Sequence, residues 1–233
     1  MADLTTYTLD GSTAVITMDD GKANALSTEM IDQLTAALDR AEGEAKAIVL
    51  AGRPERFCAG FDLKVMMSGP ANAVALLTKG GELLMRLYAA KLPLVIACTG
   101  HALAGGALVV LTGDLRIAAA GPYKIGLNEV SIGLPVPVLA MELARDRLVK
   151  PELDRATLMA TIYNPEDGHR AGYIDTVVPA SELLATAKQE AARLGALPSQ
   201  AFRATKLRLR GATIATIRTG MKTDLETLMS PQP

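Results

Sequence analysis

Glu129 stands in a run of apolar residues: Ile125, Leu127, Val130 and Ile132. A carboxylate in such company is poorly hydrated, its pKa rises, and it can take and return a proton near neutral pH. Read alone, a single Glu in a loop is more often a solvated side chain. Gly100-His101-Ala102-Leu103-Ala104-Gly105-Gly106-Ala107 is the second candidate. It reads as strand, glycine turn and helix start, and the first amides of a helix have no partners inside it. The phosphate-loop order Gly-Lys-Ser/Thr is missing there, and the chain has neither the dinucleotide Gly-x-Gly-x-x-Gly nor the hydrolase Gly-x-Ser-x-Gly. Bare N–H groups remain, suited to a carbonyl oxygen that gains negative charge during reaction. On spacing alone a close-packed glycine pair explains the same residues. The third candidate is Ala59-Gly60-Phe61-Asp62-Leu63. Its glycine lets the chain turn and present an amide, and Asp62 is placed to cap the next turn. An ordinary turn accounts for it equally. His101 and His169 have no acidic sequence neighbour to form a relay, and both read as structural.

The elements that must position these residues follow from periodicity. Tyr7–Leu9 and Ala14–Thr17 flank Asp10-Gly11 and predict a hairpin. Ser27 is a suitable cap for a helix to Ala41, with Met30, Leu34, Leu38 and Ala41 on one face. Ala47–Leu50 and Leu94–Cys98 are short apolar runs that suit buried strands, and Leu115-Arg116-Ile117-Ala118 reads as a third strand. Between them, Ala71–Ala90 and Leu103–Gly113 read as helices, the first with Leu76, Leu83, Leu84 and Leu87 inward. This is an α/β order with crossover helices. After about Pro135 strand signals nearly vanish, and helix starts fall at Asn164-Pro165, Ser181–Leu183 and Pro198-Ser199. Leu92–Gly113 lacks any charged residue and matches a membrane span in length, but Pro93, Gly100, His101, Gly105 and Gly106 interrupt it, so a buried strand and helix fit better.

Composition excludes several classes. The chain has 233 residues, with 24 basic against 25 acidic groups, so it carries no excess of positive charge for a nucleic-acid backbone. Aromatics are 3% with no Trp, which leaves no base-stacking platform. Cys58 and Cys98 make no disulfide framework and suit a reducing, cytoplasmic setting; no basic-then-apolar leader opens the chain. The two histidines and two cysteines fit no zinc spacing, so no metal is expected.

Taken together and in order, the pieces resemble the crotonase (enoyl-CoA hydratase/isomerase) superfamily. The resemblance runs through Lys22-Ala23-Asn24-Ala25-Leu26, Phe57–Leu63, Ala104-Gly105-Gly106, Asp114–Ile117, Ile125–Glu129 and Ala171–Asp175. It implies a spiral of ββα repeats over residues 1–175 carrying the acyl-CoA site. It also implies a C-terminal helical segment, 176–233, that builds a homotrimer or a dimer of trimers. It implies an acyl-CoA thioester substrate and no cofactor, since CoA belongs to the substrate. The Phe61 and Gly105 amides map onto the oxyanion hole, and Glu129 onto the second catalytic glutamate. Ala23, Ala25, Ala59, Asp62 and Leu63 map onto the loops that hold the CoA moiety. The first hydratase glutamate, three residues past the oxyanion glycine, is Leu108 here, which transfers no proton. That pattern is similar to the Δ3,Δ2-enoyl-CoA isomerases. Hydration with Glu129 alone, or acyl-CoA binding without turnover, are the competing readings. Met66, Met67, Leu83, Leu87, Leu134 and Val136 are candidates for the acyl pocket. Only 222–233 follow Met221, where many members carry further helix.

Overall fold

The computed structural model describes residues 3–229, with side chains described through Met221. Strands β1 (Thr5–Asp10) and β2 (Thr13–Met18) form the expected antiparallel hairpin. Helix α1 (Thr28–Glu44) starts at Ser27, whose side chain accepts the Met30 N–H, and buries Met30, Leu34, Leu38 and Ala41 along one stripe. From there the chain repeats one pattern. Strand β3 (Ala47–Ala51) is followed by β4 (Glu55–Cys58), α2 (Leu63–Met67) and α3 (Pro70–Tyr88). Strand β5 (Leu94–Cys98) leads to β6 (Gly100–Leu103) and α4 (Gly105–Thr112). Strand β7 (Leu115–Ala119) leads to β8 (Ile125–Gly126) and α5 (Val138–Arg147). Helices α6 (Leu153–Thr157) and α7 (Pro165–Ala171), strand β9 (Thr176–Val178), and helices α8 (Leu183–Gly195) and α9 (Ser199–Met229) complete the chain.

The first strand of each repeat joins a large sheet ordered β1-β2-β3-β5-β7-β9, parallel after the hairpin. The second strand of each repeat joins a small parallel sheet ordered β4-β6-β8. Repetition of strand, strand and helix winds the chain into the ββα spiral of the crotonase fold. Strand alternation divides the large sheet's burial between two cores. Ile48, Leu50, Leu94 and Ile96 face the inner helices, while Val49, Ala51, Val95 and Ala97 face α8. Each fully buried aliphatic side chain contributes roughly 1.5–3 kcal/mol.

Two expectations change. The small sheet was not legible: β4 falls in a stretch read as loop, and β6 occupies Gly100–Leu103, so α4 begins at Gly105 rather than Leu103. Strands of two to four residues carry no period to detect. The large sheet also extends past residue 175, because β9 pairs with β7 through Ile117↔Thr176 and Ala119↔Val178. The uncharged stretch after Leu92 resolves into β5, β6 and an eight-residue α4. No described helix is long and apolar enough to cross a membrane.

Candidate active site

The small sheet gathers the three candidate segments. Each lies just beyond the carboxyl end of one of its parallel strands: Ala59–Asp62 after β4, Ala104–Gly106 after β6 and Leu127–Glu129 after β8. Ligand crevices of parallel sheets open at that end. Cys58 pairs with Ala102, Leu103 pairs with Gly126, and the Ala104 N–H donates to the Gly126 carbonyl at 3.0 Å.

The first two segments touch through backbone. A Cβ placed on Gly106 would stand 2.0 Å from the Cys58 carbonyl oxygen, so a larger residue would force the segments apart. Gly60, at φ 95°, also lies against that turn: a Cβ there would stand 3.2 Å from the Gly105 nitrogen. On its outer side the Gly60–Asp62 segment pairs with Leu26. The Leu26 N–H donates to the Gly60 carbonyl at 2.8 Å and the Asp62 N–H to the Leu26 carbonyl at 3.3 Å. Successive amides of extended chain point to opposite sides. The Phe61 N–H therefore faces away from Leu26, and among the described residues it meets no acceptor. The Gly105 N–H is the first of α4 and has none either. Ala104, just before it, holds φ 48° and ψ −123°, a costly conformation for a residue with a Cβ and a mark of backbone held for a purpose.

Glu129 is 8% exposed, and its Oε2 has no hydrogen-bond partner. Burial raises its carboxyl pKa above the usual carboxylate range, opposed only by a hydrogen bond from its own backbone, and no charged neighbour adds to the shift. The apolar company expected from sequence is only half correct. Ile125 and Leu127 are fully buried, whereas Val130 and Ile132 are exposed, so Glu129 is enclosed by the fold more than by its sequence neighbours. Leu108, one turn into α4, is buried in the same core as Leu127.

The segments assigned to CoA binding also meet. The Ala59 N–H donates to the Ala23 carbonyl at 3.0 Å, which lays 23–26 beside 59–62. Ala23 and Ala25 are half-buried, Ala59 and Leu63 are exposed, and Asp62 caps α2 by accepting the Lys64 N–H at 2.8 Å. Two residues behind this loop had no role in the sequence reading. Asn24, buried at φ 54°, donates from Nδ2 to the carbonyls of Met18, Arg56 and Phe57 at 3.0–3.1 Å. Asp20 accepts the amides of Lys22, Asn24 and Ala25 at 2.7–3.1 Å. An Asp and an Asn four apart around a glycine was the available signal.

The expected acyl-pocket residues divide. Leu83 and Leu87 lie in the closed core, Met66 and Val136 are half-buried, and Met67 and Leu134 are exposed. His101 accepts the Lys124 N–H at 3.0 Å and His169 lies 3.1 Å from the Ile174 carbonyl, both structural contacts. Burial pushes the Cys58 and Cys98 thiols up to about 12, which makes them unreactive.

Two backbone amides without an acceptor among the described residues and a buried carboxyl whose Oε2 has no partner thus follow neighbouring strands of one small sheet. Groups of these kinds can stabilise a developing oxyanion and move a proton. The sequence profile of the enoyl-CoA hydratase/isomerase family matches residues 8–232. The chain belongs to that family. It is 32% identical to the human mitochondrial enoyl-CoA delta isomerase 1 over 222 residues, 93% of this chain and 74% of that protein. It is 34% identical to a probable enoyl-CoA hydratase of Rhodobacter capsulatus over 203 residues, 86% of this chain and 78% of that one. The crystal structure of an enoyl-CoA hydratase/isomerase family protein from Pseudomonas syringae superposes with a TM-score of 0.94 at 39% identity, covering 97% of this chain and 98% of that one.

Proposed function

We propose that this enoyl-CoA hydratase/isomerase-type enzyme moves a double bond, converting a 3-enoyl-CoA to the 2-enoyl-CoA. The ionised Glu129 removes a proton from C2. The electron pair of that C–H bond delocalises onto the thioester oxygen, and the resulting dienolate is held by the Phe61 and Gly105 amides. Protonated Glu129 then gives the proton to C4, and the new double bond lies between C2 and C3. Each open amide contributes roughly 3–4 kcal/mol to such a transition state. The observation that carries the reading is Glu129 itself, buried, unpaired at Oε2 and without a charged partner. A single carboxylate suits a proton shuttle, whereas hydration also needs a second group to orient water, and Leu108 supplies none.

Separate assays with 3-enoyl-CoA and 2-enoyl-CoA test this. Rapid isomerisation with slow hydration is expected; efficient hydration of 2-enoyl-CoA would overturn the assignment in favour of a hydratase. Thioester binding without turnover of either would favour a binding protein. Val130, Ile132 and Leu134, and also Leu158, Met159 and Ile162, expose apolar surface, which supports assembly with further copies. The proposed state is a trimer or a pair of trimers, readable by sedimentation equilibrium.

A further inference from the structure

Phe61 is assigned a role through its amide, yet its side chain is the more constrained part. One edge of the ring faces the middle of α3: a Cβ on Gly80 would stand 2.1 Å from Cε1 and 2.7 Å from Cζ. The opposite edge faces the start of α4: a Cβ on Gly105 would stand 3.1 Å from Cδ2 and 3.2 Å from Cε2. The ring is thus held edge-on between two glycines of two helices, and it cannot retreat from one without pressing on the other. Glycine is a poor residue for a helix interior. Gly80 and Gly81 are both buried in the body of α3, so their presence needs a packing reason. Gly80 admits the Phe61 ring, while Gly81 admits the Met221 methyl, 2.6 Å from a Cβ built there.

We infer that Gly80 is a positioning residue for the reaction: by seating the Phe61 ring, it fixes the direction of the Phe61 amide toward the substrate carbonyl. This rests on the oxyanion-hole reading above. The Leu26 N–H holds the Gly60 carbonyl of the peptide that carries the Phe61 N–H, Asp62 is tied to Leu26 beyond it, and the ring is the lever on the Phe61 Cα at the other end of that peptide. Gly80→Ala pushes that lever with a methyl group and leaves every polar group of the site in place.

The test follows the infrared carbonyl stretch of hexanoyl-CoA bound to the whole protein, together with turnover of 3-hexenoyl-CoA. Wild type is expected to lower the stretch on binding. Gly80→Ala is expected to lose that shift and to lower kcat about 100-fold, the scale of one missing oxyanion donor, with KM little changed. Phe61→Ala keeps the amide but frees it, and a loss of about 10-fold is expected, well short of a missing donor. The double variant is expected to fall no further than Phe61→Ala alone, because the methyl group then has no ring to displace. Gly81→Ala displaces only the flexible end of Met221 and is expected to keep the wild-type shift. A Gly80→Ala protein with the full shift and full kcat overturns the inference. If that variant does not fold, an unchanged shift in Phe61→Ala overturns it instead. Absence of any shift in wild type would remove the oxyanion-hole reading itself, a result distinct from a wild-type shift that survives both substitutions.

Discussion

At its carboxyl end α4 hands its last carbonyls to cations. Arg210 donates to Thr112 and Gly113 at 3.1 Å, and Arg147 donates to Gly113 at 2.8 Å. Beside them the half-buried Asp114 accepts Lys206 Nζ at 2.7 Å, Arg210 at 3.1 Å and the Leu94 amide at 2.8 Å. Burial pulls the Lys206 ammonium down to about 8, against the opposing pull of Asp114. Arg210 also lies over the Tyr88 ring at 4.4 Å and donates to the Tyr88 carbonyl. Eight residues away, at the amino end, the Gly105 amide has no acceptor, the preceding Ala104 is strained, and no side chain caps the helix. One end is matched to its dipole by fixed cations and gives stability. The other is left open, and an open group is what a substrate can fill.

Substitutions can break this contrast at either end. The largest effect is expected from Glu129→Gln, which removes the base while preserving shape. Isomerisation should fall by about four orders of magnitude, read by direct turnover. Its pH behaviour sharpens the point. The folded protein raises the Glu129 pKa above the ordinary 4.5, so it favours the protonated carboxyl. That contribution to stability is complete below 4.5 and is lost as pH rises through the raised value. Glu129→Gln should therefore melt higher than wild type at pH 7, with the gap closing toward pH 4. The acid limb of kcat/KM in wild type should lie above 4.5 for the same reason.

At the closed end, Asp114→Ala strands Lys206 and Arg210 in the core. A loss of about 3–5 kcal/mol is expected in denaturant unfolding, with kcat per folded molecule nearly retained. A retained stability would show that the cluster is ornamental and that the two ends do not differ as described. Asn24→Ala should be milder. The Met18, Arg56 and Phe57 carbonyls lose their shared donor, at about 1–3 kcal/mol, and KM for the acyl-CoA should rise more than kcat falls. The smallest effect is expected from Leu108→Glu, which returns a second carboxylate to α4. Hydration of 2-enoyl-CoA should rise about 10-fold over the wild-type background, short of the ~10²–10⁴-fold of a well-placed acid–base group because position 108 is buried among apolar side chains, and isomerisation should persist.

The large sheet was legible because Ala47–Leu50 and Leu94–Cys98 are continuous apolar runs buried on both faces, with Leu115–Ala118 a short strand signal beside them, interrupted by Arg116. The candidate segments were legible as residue types, and the family resemblance put Phe61, Gly105 and Glu129 in one order. Their meeting was not legible, because it depends on β4, β6 and β8, whose pairing is set by tertiary contact rather than by any period. The cluster at Asp114 was missed for a related reason. Its partners Lys206 and Arg210 lie about ninety residues onward, on α9, with no local pattern to join them to Asp114. Asn24 and Asp20 form a local turn, and turn chemistry was the signal left unused there.

The donors at Phe61 and Gly105 are peptide groups, and every residue except proline brings one. On the proposed mechanism, a change at those positions to any residue but proline keeps the donor and can only tilt it, through the packing of what is attached. Proton transfer, on the same proposal, rests on replaceable side chains: Glu129, and whatever stands at 108. Lineages descended from such a scaffold are expected to exchange one reaction for another at those two positions while the hold on the carbonyl persists.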